Sequence, residues 1–286
     1  MEVTLRRAAP DDAGICGKIN FEAFKAISSA HNFPWDFPSV EVATGFTKMA
    51  LSHPGFYGVV AEDETGHVVG SNFLDERNPI GGIGPISVDP EFQNRTVGRS
   101  LMLDVMDRSA RRNSAGVRLV QAAYHNRSLC LYTKLGFETR EPLSKVDGKA
   151  PRVKLPGYEV RRATMADHSA CNELCRSVHG HDRSGELKDA IGRGSARVVE
   201  HGGRMTGYST DIAFLGHAVG ETNEDVKALI GAAEEISAGG FLLPTTNGDL
   251  FRWCLNNGLR LVHQMTLMTI GLYNEPRGAY LPSVLY

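Results

Sequence analysis

The stretch that most restricts the fold reads Val88, Asp89, Pro90, Glu91, Phe92, Gln93, Asn94, Arg95, Thr96, Val97, Gly98, Arg99, Ser100, Leu101, Met102. The apolar run Ile83–Val88 reads as a buried strand, Asp89 and Pro90 stop it, and amphipathic helical spacing begins near Gly98. A strand, a short loop and a helix N-terminus therefore follow one another. The first turn of a helix carries unpaired N–H groups and about half a positive charge, so a loop that delivers backbone there suits a pyrophosphate. Gly98 lets the backbone approach a ligand, and Arg95 and Arg99 add positive charge. Ordinary helices also start this way, so this stretch alone leaves phosphate binding and plain helix initiation both open.

A second stretch narrows the choice. His125, Asn126, Arg127, Ser128, Leu129, Cys130, Leu131, Tyr132, Thr133, Lys134, Leu135, Gly136 and Phe137 follow the apolar strand Val117–Ala123, and Gly136 suits a helix C-cap. Together the two stretches resemble the GNAT superfamily of acyl-CoA-dependent N-acyltransferases. The family's phosphate loop follows Q/R-x-x-G-x-G/A, matched from Gln93 to Gly98 at all but one position. Its later helix often reads N-x-R-S-L-x-L-Y-x-K-x-G-F, in register with Tyr132, Lys134, Gly136 and Phe137. Thr96 stands at the family's first loop glycine, where a threonine is expected to offer the same N–H only at negative φ. His125 stands where the asparagine usually lies, with Asn126 one place later.

The resemblance implies a site for acetyl-CoA made by Ile86, Val88, Gln93, Asn94, Arg95, Thr96, Val97, Gly98, Arg99 and Ser100, completed by His125, Asn126 and Ser128. It further implies direct attack of a primary amine on the thioester, with Tyr132 donating to the departing sulfur and no metal taking part. A thiol near pKa 8.5 and a phenol near 10 make complete proton transfer uphill by about 2 kcal/mol. Hydrogen-bond stabilisation, or transfer coupled to loss of the amine proton, is the role left for Tyr132. Some relatives carry a glutamate base on the phosphate-loop strand. Here that region holds Gly81, Gly82 and Gly84, so Asp75, Glu76 and His31 are unranked candidates.

Val3–Arg7 reads as the first strand, and Ile15, Ile19, Ala23 and Ile27 repeat at helical spacing. The connection Ala30–Ser39 holds three aromatics. They either plug a gap between helices or, as the resemblance implies, wall an acceptor pocket with Phe33, Trp35 and Asp36, the last meeting a cationic amine. Val40–Leu51 reads as a second helix, and Phe56–Glu62 with His67–Leu74 as a hairpin. Arg108, Arg111 and Arg112 read as a solvated helix face.

Residues 1–142 form the expected catalytic domain, 143–157 a linker rich in proline and lysine, and 158–286 a degenerate second copy. Tyr158–Arg162 followed by Ala163, Asp167 and Cys171 echoes Val3–Arg7, Ala8, Asp12 and Cys16, and Leu242–Leu259 echoes Leu119–Phe137. Where a second phosphate loop belongs stand Glu221, Glu224 and Asp225, which repel a pyrophosphate, and Cys254 takes the place of Tyr132. This half reads as a structural domain covering or bordering the first site. The fold class is therefore α/β, an α+β mixed sheet built as two tandem GNAT-like domains. His179, His181 and Asp182 make a metal-like cluster without identifiable further ligands, and the tail Leu272–Tyr286 reads as packing on one domain or on a partner chain.

With 286 residues and 42% hydrophobic content the chain can bury two cores. A net charge of −2 without a long Lys/Arg run argues against nucleic-acid and membrane-surface partners. No run of about 18 apolar residues occurs, and with no apolar leader the expected compartment is the cytoplasm. Five cysteines without a CxxC pair read as buried free thiols, and composition leaves oligomeric state open. The reading is an acetyl-CoA-dependent N-acetyltransferase. The alternative is a non-catalytic acyl-CoA sensor or interaction module.

Overall fold

The computed structural model describes residues 3–237 and 239–286. The first half runs β1 (Thr4–Arg7), α1 (Ala13–Ala30), α2 (Val40–Ser52), β2 (Phe56–Glu62), β3 (Val68–Asp75), β4 (Ile80–Ile83), β5 (Ser87–Val88), α3 (Val97–Arg111), β6 (Gly116–Ala122), α4 (Asn126–Lys134) and β7 (Glu138–Asp147). The second runs β8 (Tyr158–Arg162), α5 (His168–His179), α6 (Ser184–Arg193), β9 (Arg197–His201), β10 (Arg204–Ser209), β11 (Ala218–Gly220), α7 (Asn223–Gly231), β12 (Phe241–Pro244), α8 (Gly248–Asn256), β13 (Arg260–Gly271) and β14 (Ala279–Leu281).

The strands form a mixed sheet in the order β1-β2-β3-β4-β6-β13-β7-β12, with β5 beside β3, and a second sheet in the order β14-β11-β10-β9-β8. The single strand expected over Ile83–Val88 is two short strands, because Gly84 sits at φ +131° and Pro85 has no N–H to give a ladder. Leu143–Asp147, expected in the linker, instead completes β7, and these residues pair with both β13 and β12.

Strands β7 and β13 change places between the halves. β13 lies between β6 and β7, and β7 lies between β12 and β13. The sequence offset that carries Gly136–Phe137 onto Gly258–Leu259 exchanges the pair Pro142–Thr266 with Ser144–Gln264 and returns Leu143–Met265 to itself. An approximate two-fold axis thus passes through Leu143–Met265. Leu143, Leu242, Met265 and Leu267 form a buried cluster around it, drawn from both halves.

Local interactions repeat as well. Arg6 donates to Asp12 at 2.7 Å and to Glu62 at 2.6 Å, while Asp12 accepts from the Ala9 N–H. Arg161 donates to Asp167 at 2.8 Å and to Glu200 at 2.8 Å, while Asp167 accepts from the Thr164 N–H. The first core gathers Val59, Leu101, Val105 and Phe137, the second Val199, Leu229, Phe241 and Leu250.

The tail packs between the halves rather than on the surface of one. β14 pairs with β11, Leu285 joins Cys16, Phe56 and Phe73, and Tyr286 joins the cluster at the axis. A Cβ at Gly82 would lie 2.0 Å from the Leu285 carbonyl oxygen, so the tail crosses β4 at a place only glycine permits. Four of the five free cysteines are buried. Cys130 is exposed, on the outer side of α4. No helix among the described residues is long and apolar enough to cross a membrane.

Candidate functional site

Parallel strands β4 and β6 are bonded only from Ile80–Gly116 to Gly82–Arg118. Past that point the chain moves to β5, which pairs with β3 through Ser71–Ser87 and Gly70–Val88. The C-terminal ends of β5 and β6 therefore diverge, leaving backbone N–H and C=O groups beside an opening. Helices α3 and α4 begin just beyond these two ends, and their entry loops are tied together. Arg127 Nη2 donates to Gln93 Oε1 at 2.7 Å and Nη1 to Asn94 Oδ1 at 3.3 Å, while Gln93 Nε2 donates to the Val88 carbonyl at 3.1 Å. Arg127 was not singled out from the sequence as a site residue, although the helix motif contains it.

Thr96 departs from expectation. It is the residue before α3 and takes φ +67°, the conformation glycine would take, and Asn94 takes φ +64°. Its N–H is thus aimed as a glycine's would be, at the strain cost of a β-branched residue in the left-handed region. A Cβ at Gly98 would meet nothing closer than Val88 Cγ2 at 3.7 Å, so packing within the protein does not demand this glycine. The guanidinium of Arg95 lies 5.5 Å from the Phe92 ring, and Arg95 and Arg99 are both exposed beside the helix start. Val97 is buried, whereas Ile86, Val88 and Ser100 are half-buried along the opening.

His125 caps α4 as an asparagine would. Its Nδ1 accepts from the Ser128 N–H at 3.2 Å, as the Asn247 side chain accepts from the Leu250 N–H at the start of α8. Burial, with Arg127 and His31 nearby, pushes the imidazole down to about pKa 4, so the ring is neutral near pH 7 and its proton sits on Nε2. Asn126 is exposed in the first turn.

Tyr132, one turn after Ser128, is buried with its ring 6.1 Å from that of Phe137. Burial pushes its phenol up to about pKa 12, with Ser128 pulling the other way. Against a thiol near 8.5, complete transfer to a thiolate is uphill by about 5 kcal/mol. A hydrogen bond to developing negative charge is what this phenol can supply.

The loop between α1 and α2 packs as a cover. Phe33 stacks on Tyr124, centroids 4.5 Å apart, and His31 lies 5.1 Å from the same ring. Trp35 faces outward instead. It is 46% exposed, donates from Nε1 to Ser29 Oγ and lies under Lys25, so it walls no pocket in this conformation. Asp36 is not waiting for a cationic amine: Lys145 Nζ lies 3.1 Å from Oδ1 and His263 Nε2 3.6 Å from it. Burial pushes the Asp36 carboxyl up, but His263 and Lys145 more than offset this and hold it below its ordinary value.

Two of the three candidate bases are occupied elsewhere. Asp75 accepts two bonds from the Arg77 guanidinium and one from its backbone N–H, and Glu76 holds Arg108 at 2.7 Å and Arg112 at 3.4 Å. Both lie at the end of β3 away from the opening, and this pairing also means that Arg108 and Arg112 are more than a solvated face. His31 remains near Tyr124, its Nδ1 3.0 Å from the Ile27 carbonyl. The side chains that meet Asp36 and Phe33, namely Tyr124, Lys145 and His263, were missed from sequence. Lys145 and His263 lie on the exchanged strands, which no local pattern announces.

At the corresponding place in the second half, Asp225 fills the helix start itself. It accepts from the Thr222 N–H at 2.9 Å, from the Thr222 hydroxyl at 2.8 Å and from the Thr206 hydroxyl. Cys254 is fully buried. His181 Nε2 lies 3.1 Å from the Tyr286 hydroxyl, and among the described residues no group of three His, Cys, Asp or Glu side chains is placed to hold a metal.

Residues 54–139 match the acetyltransferase (GNAT) domain family, a span that runs from β2 through α4. A Pyrococcus horikoshii protein described as an acetyltransferase has a structure similar to this one, with TM-score 0.74 at 19% identity, covering 97% of this chain and 94% of its own. A GCN5-related N-acetyltransferase from Sphaerobacter thermophilus is similar with TM-score 0.60 at 12% identity, covering 96% of each chain. At such identities the likeness is one of fold, and it extends over both halves. No curated protein matches the chain significantly.

Proposed function

We propose that this chain, which carries a GNAT acetyltransferase domain across residues 54–139, transfers the acetyl group of acetyl-CoA to a primary amine at the opening between β5 and β6. One observation carries the reading. The ladder between β4 and β6 stops before the starts of α3 and α4, Arg127 ties the two entry loops together, and Tyr132 packs in the same cluster as Ile86 and Val88. Bound acetyl-CoA supplies the activated thioester. The N–H groups at the start of α3, with Arg95 and Arg99, hold its pyrophosphate. The backbone around Ile86 and Val88 binds the pantetheine and polarises the carbonyl. Tyr132 donates a hydrogen bond to the sulfur as it leaves. The second half is a degenerate copy of the same unit: Asp225 takes the place a phosphate would need, and the half serves structurally.

A second reading, an acyl-CoA sensor, is favoured by the strained Thr96 alone. Calorimetry decides whether the site binds its nucleotide. CoA and acetyl-CoA are expected to bind at micromolar concentration, and Arg95→Glu with Gly98→Glu to abolish binding while leaving the melting temperature in place. Failure to bind at millimolar ligand would overturn both readings. Binding without acetylation of any amine in a broad screen would favour the sensor.

A further inference from the structure

Arg118 is a cation sealed inside the protein, 1% exposed. On β6 it pairs with Gly82 of β4, so its side chain leaves the sheet on the face where the tail crosses that glycine. Its guanidinium carbon lies 3.7 Å from the centre of the Tyr286 ring and 5.3 Å from that of Tyr273. Hydrogen bonding falls short of the charge. Nη2 donates to the Leu272 carbonyl at 3.2 Å, the buried Nε has no partner, and among the described residues no carboxylate pairs with this arginine. Burial, with Arg183 nearby, pushes its pKa down to about 9, which still leaves it charged near pH 7. Stacking on tyrosine returns only part of the hydration such a cation gives up, so an opposite charge is called for.

A small cavity lies beside this group at the seam of the halves. Its wall includes Asp75, Asn78 and Gly82 from the first half and His181, Arg183 and Tyr286 from the second, and two of these, Gly82 and Tyr286, are the neighbours of Arg118 just described. About 10 Å³ is open to the centre of a water-sized sphere, which is room for one water or one monatomic ion. The carboxylates nearby are committed. Asp75 is paired with Arg77, and Glu186 with Arg183 and His217. His181 adds no charge: burial and Arg118 push it down to about pKa 4, its Nδ1 faces the Asp182 carbonyl, and its Nε2 accepts from the Tyr286 hydroxyl at 3.1 Å. Arg77 and Arg183 are thus answered, and Arg118 is the positive charge left over.

We propose that this cavity binds one small monovalent anion of halide size as the counter-ion of Arg118, with Arg183 as the second cation beside it. Because the wall is drawn from both halves, the ion fastens one to the other. It needs no channel, since the wall closes round it as the halves fold together. The inference stands apart from the acetyltransferase reading, because no residue of the acetyl-CoA site lines this cavity.

The full chain and Arg118→Met are melted in sodium chloride and in sodium gluconate of equal ionic strength, which screen surface charge alike while gluconate is too large for the cavity. The parent should melt higher in chloride, its folding constant rising about tenfold for each tenfold rise in chloride above the dissociation constant. Arg118→Met, which has no charge to neutralise, should melt alike in both salts and above the parent in gluconate. Crystals of the parent grown with bromide should show an anomalous peak in the cavity beside Arg118. Equal melting of the parent in the two salts would overturn the proposal, and a bromide peak would then be an adventitious ion only. A chloride effect that persists in Arg118→Met would overturn it too, by placing the ion elsewhere. Should Arg118→Met fail to fold, the bromide peak decides: its presence beside Arg118 supports the site, and its absence overturns it.

Discussion

Thr96 concentrates the geometry of the proposed phosphate loop in one dihedral angle. At φ +67° it occupies the left-handed region that favours glycine, so the departure from the motif is registered as backbone strain. Holding a β-branched residue there costs about 1–2 kcal/mol, part of which glycine returns through its looser unfolded chain. Thr96→Gly should therefore raise stability by up to about 1 kcal/mol while changing CoA affinity by less than about threefold. Thermal melts and calorimetry on the pair check both; tightening of more than tenfold would mean that the threonine side chain obstructs the phosphate. Tyr132→Phe tests the other end of the site. In the proposed mechanism the phenol, pushed up to about pKa 12, acts as a hydrogen-bond donor, so the variant should lose about 100-fold in kcat and keep its CoA affinity, and normal turnover would remove Tyr132 from the mechanism.

Among the elements, α4 carries a pH dependence of its own. His125 accepts the Ser128 N–H through a neutral ring whose pKa lies near 4, below the 6.5 of an unfolded histidine. The unfolded chain therefore binds the proton first. The cap's contribution is complete above about pH 6.5 and falls as pH drops through 4. His125→Asn should keep the cap without that loss, so its melting temperature should exceed the parent's increasingly from pH 6.5 to pH 4. This element was legible in the sequence because capping, helical spacing and Gly136 are local signals. So were α3 and the hairpin of β2 and β3. The break at Gly84–Pro85 and the run of β7 to Asp147 were not read, since a short apolar run does not reveal which strand it pairs with. The connection between α1 and α2 was legible as an aromatic cluster, but its partners Lys145 and His263 depend on long-range register.

At the scale of the whole molecule, the exchange of β7 and β13 governs how the protein can unfold. The pair joins the halves along its length, from Arg260–Asp147 to Thr269–Glu138, and each strand is flanked on its other side by a strand of the half opposite to its own. Removing either half would expose both edges of the strand left behind and uncover the cluster around Leu143 and Met265. The tail adds a second tie, since Leu285 packs with Cys16 and Phe73 while β14 remains in the other sheet. Two folds connected by a flexible linker would melt separately. Two folds sharing their central strands must lose them together. The chain supplies its own probes, Trp35 in the first half and Trp253 in the second, and no other tryptophan. Urea unfolding of Trp35→Phe and Trp253→Phe, each followed by its remaining tryptophan and by far-ultraviolet circular dichroism, should give coincident midpoints within each variant and one cooperative slope. Separate midpoints for fluorescence and dichroism would mean that the shared strands part before either core melts.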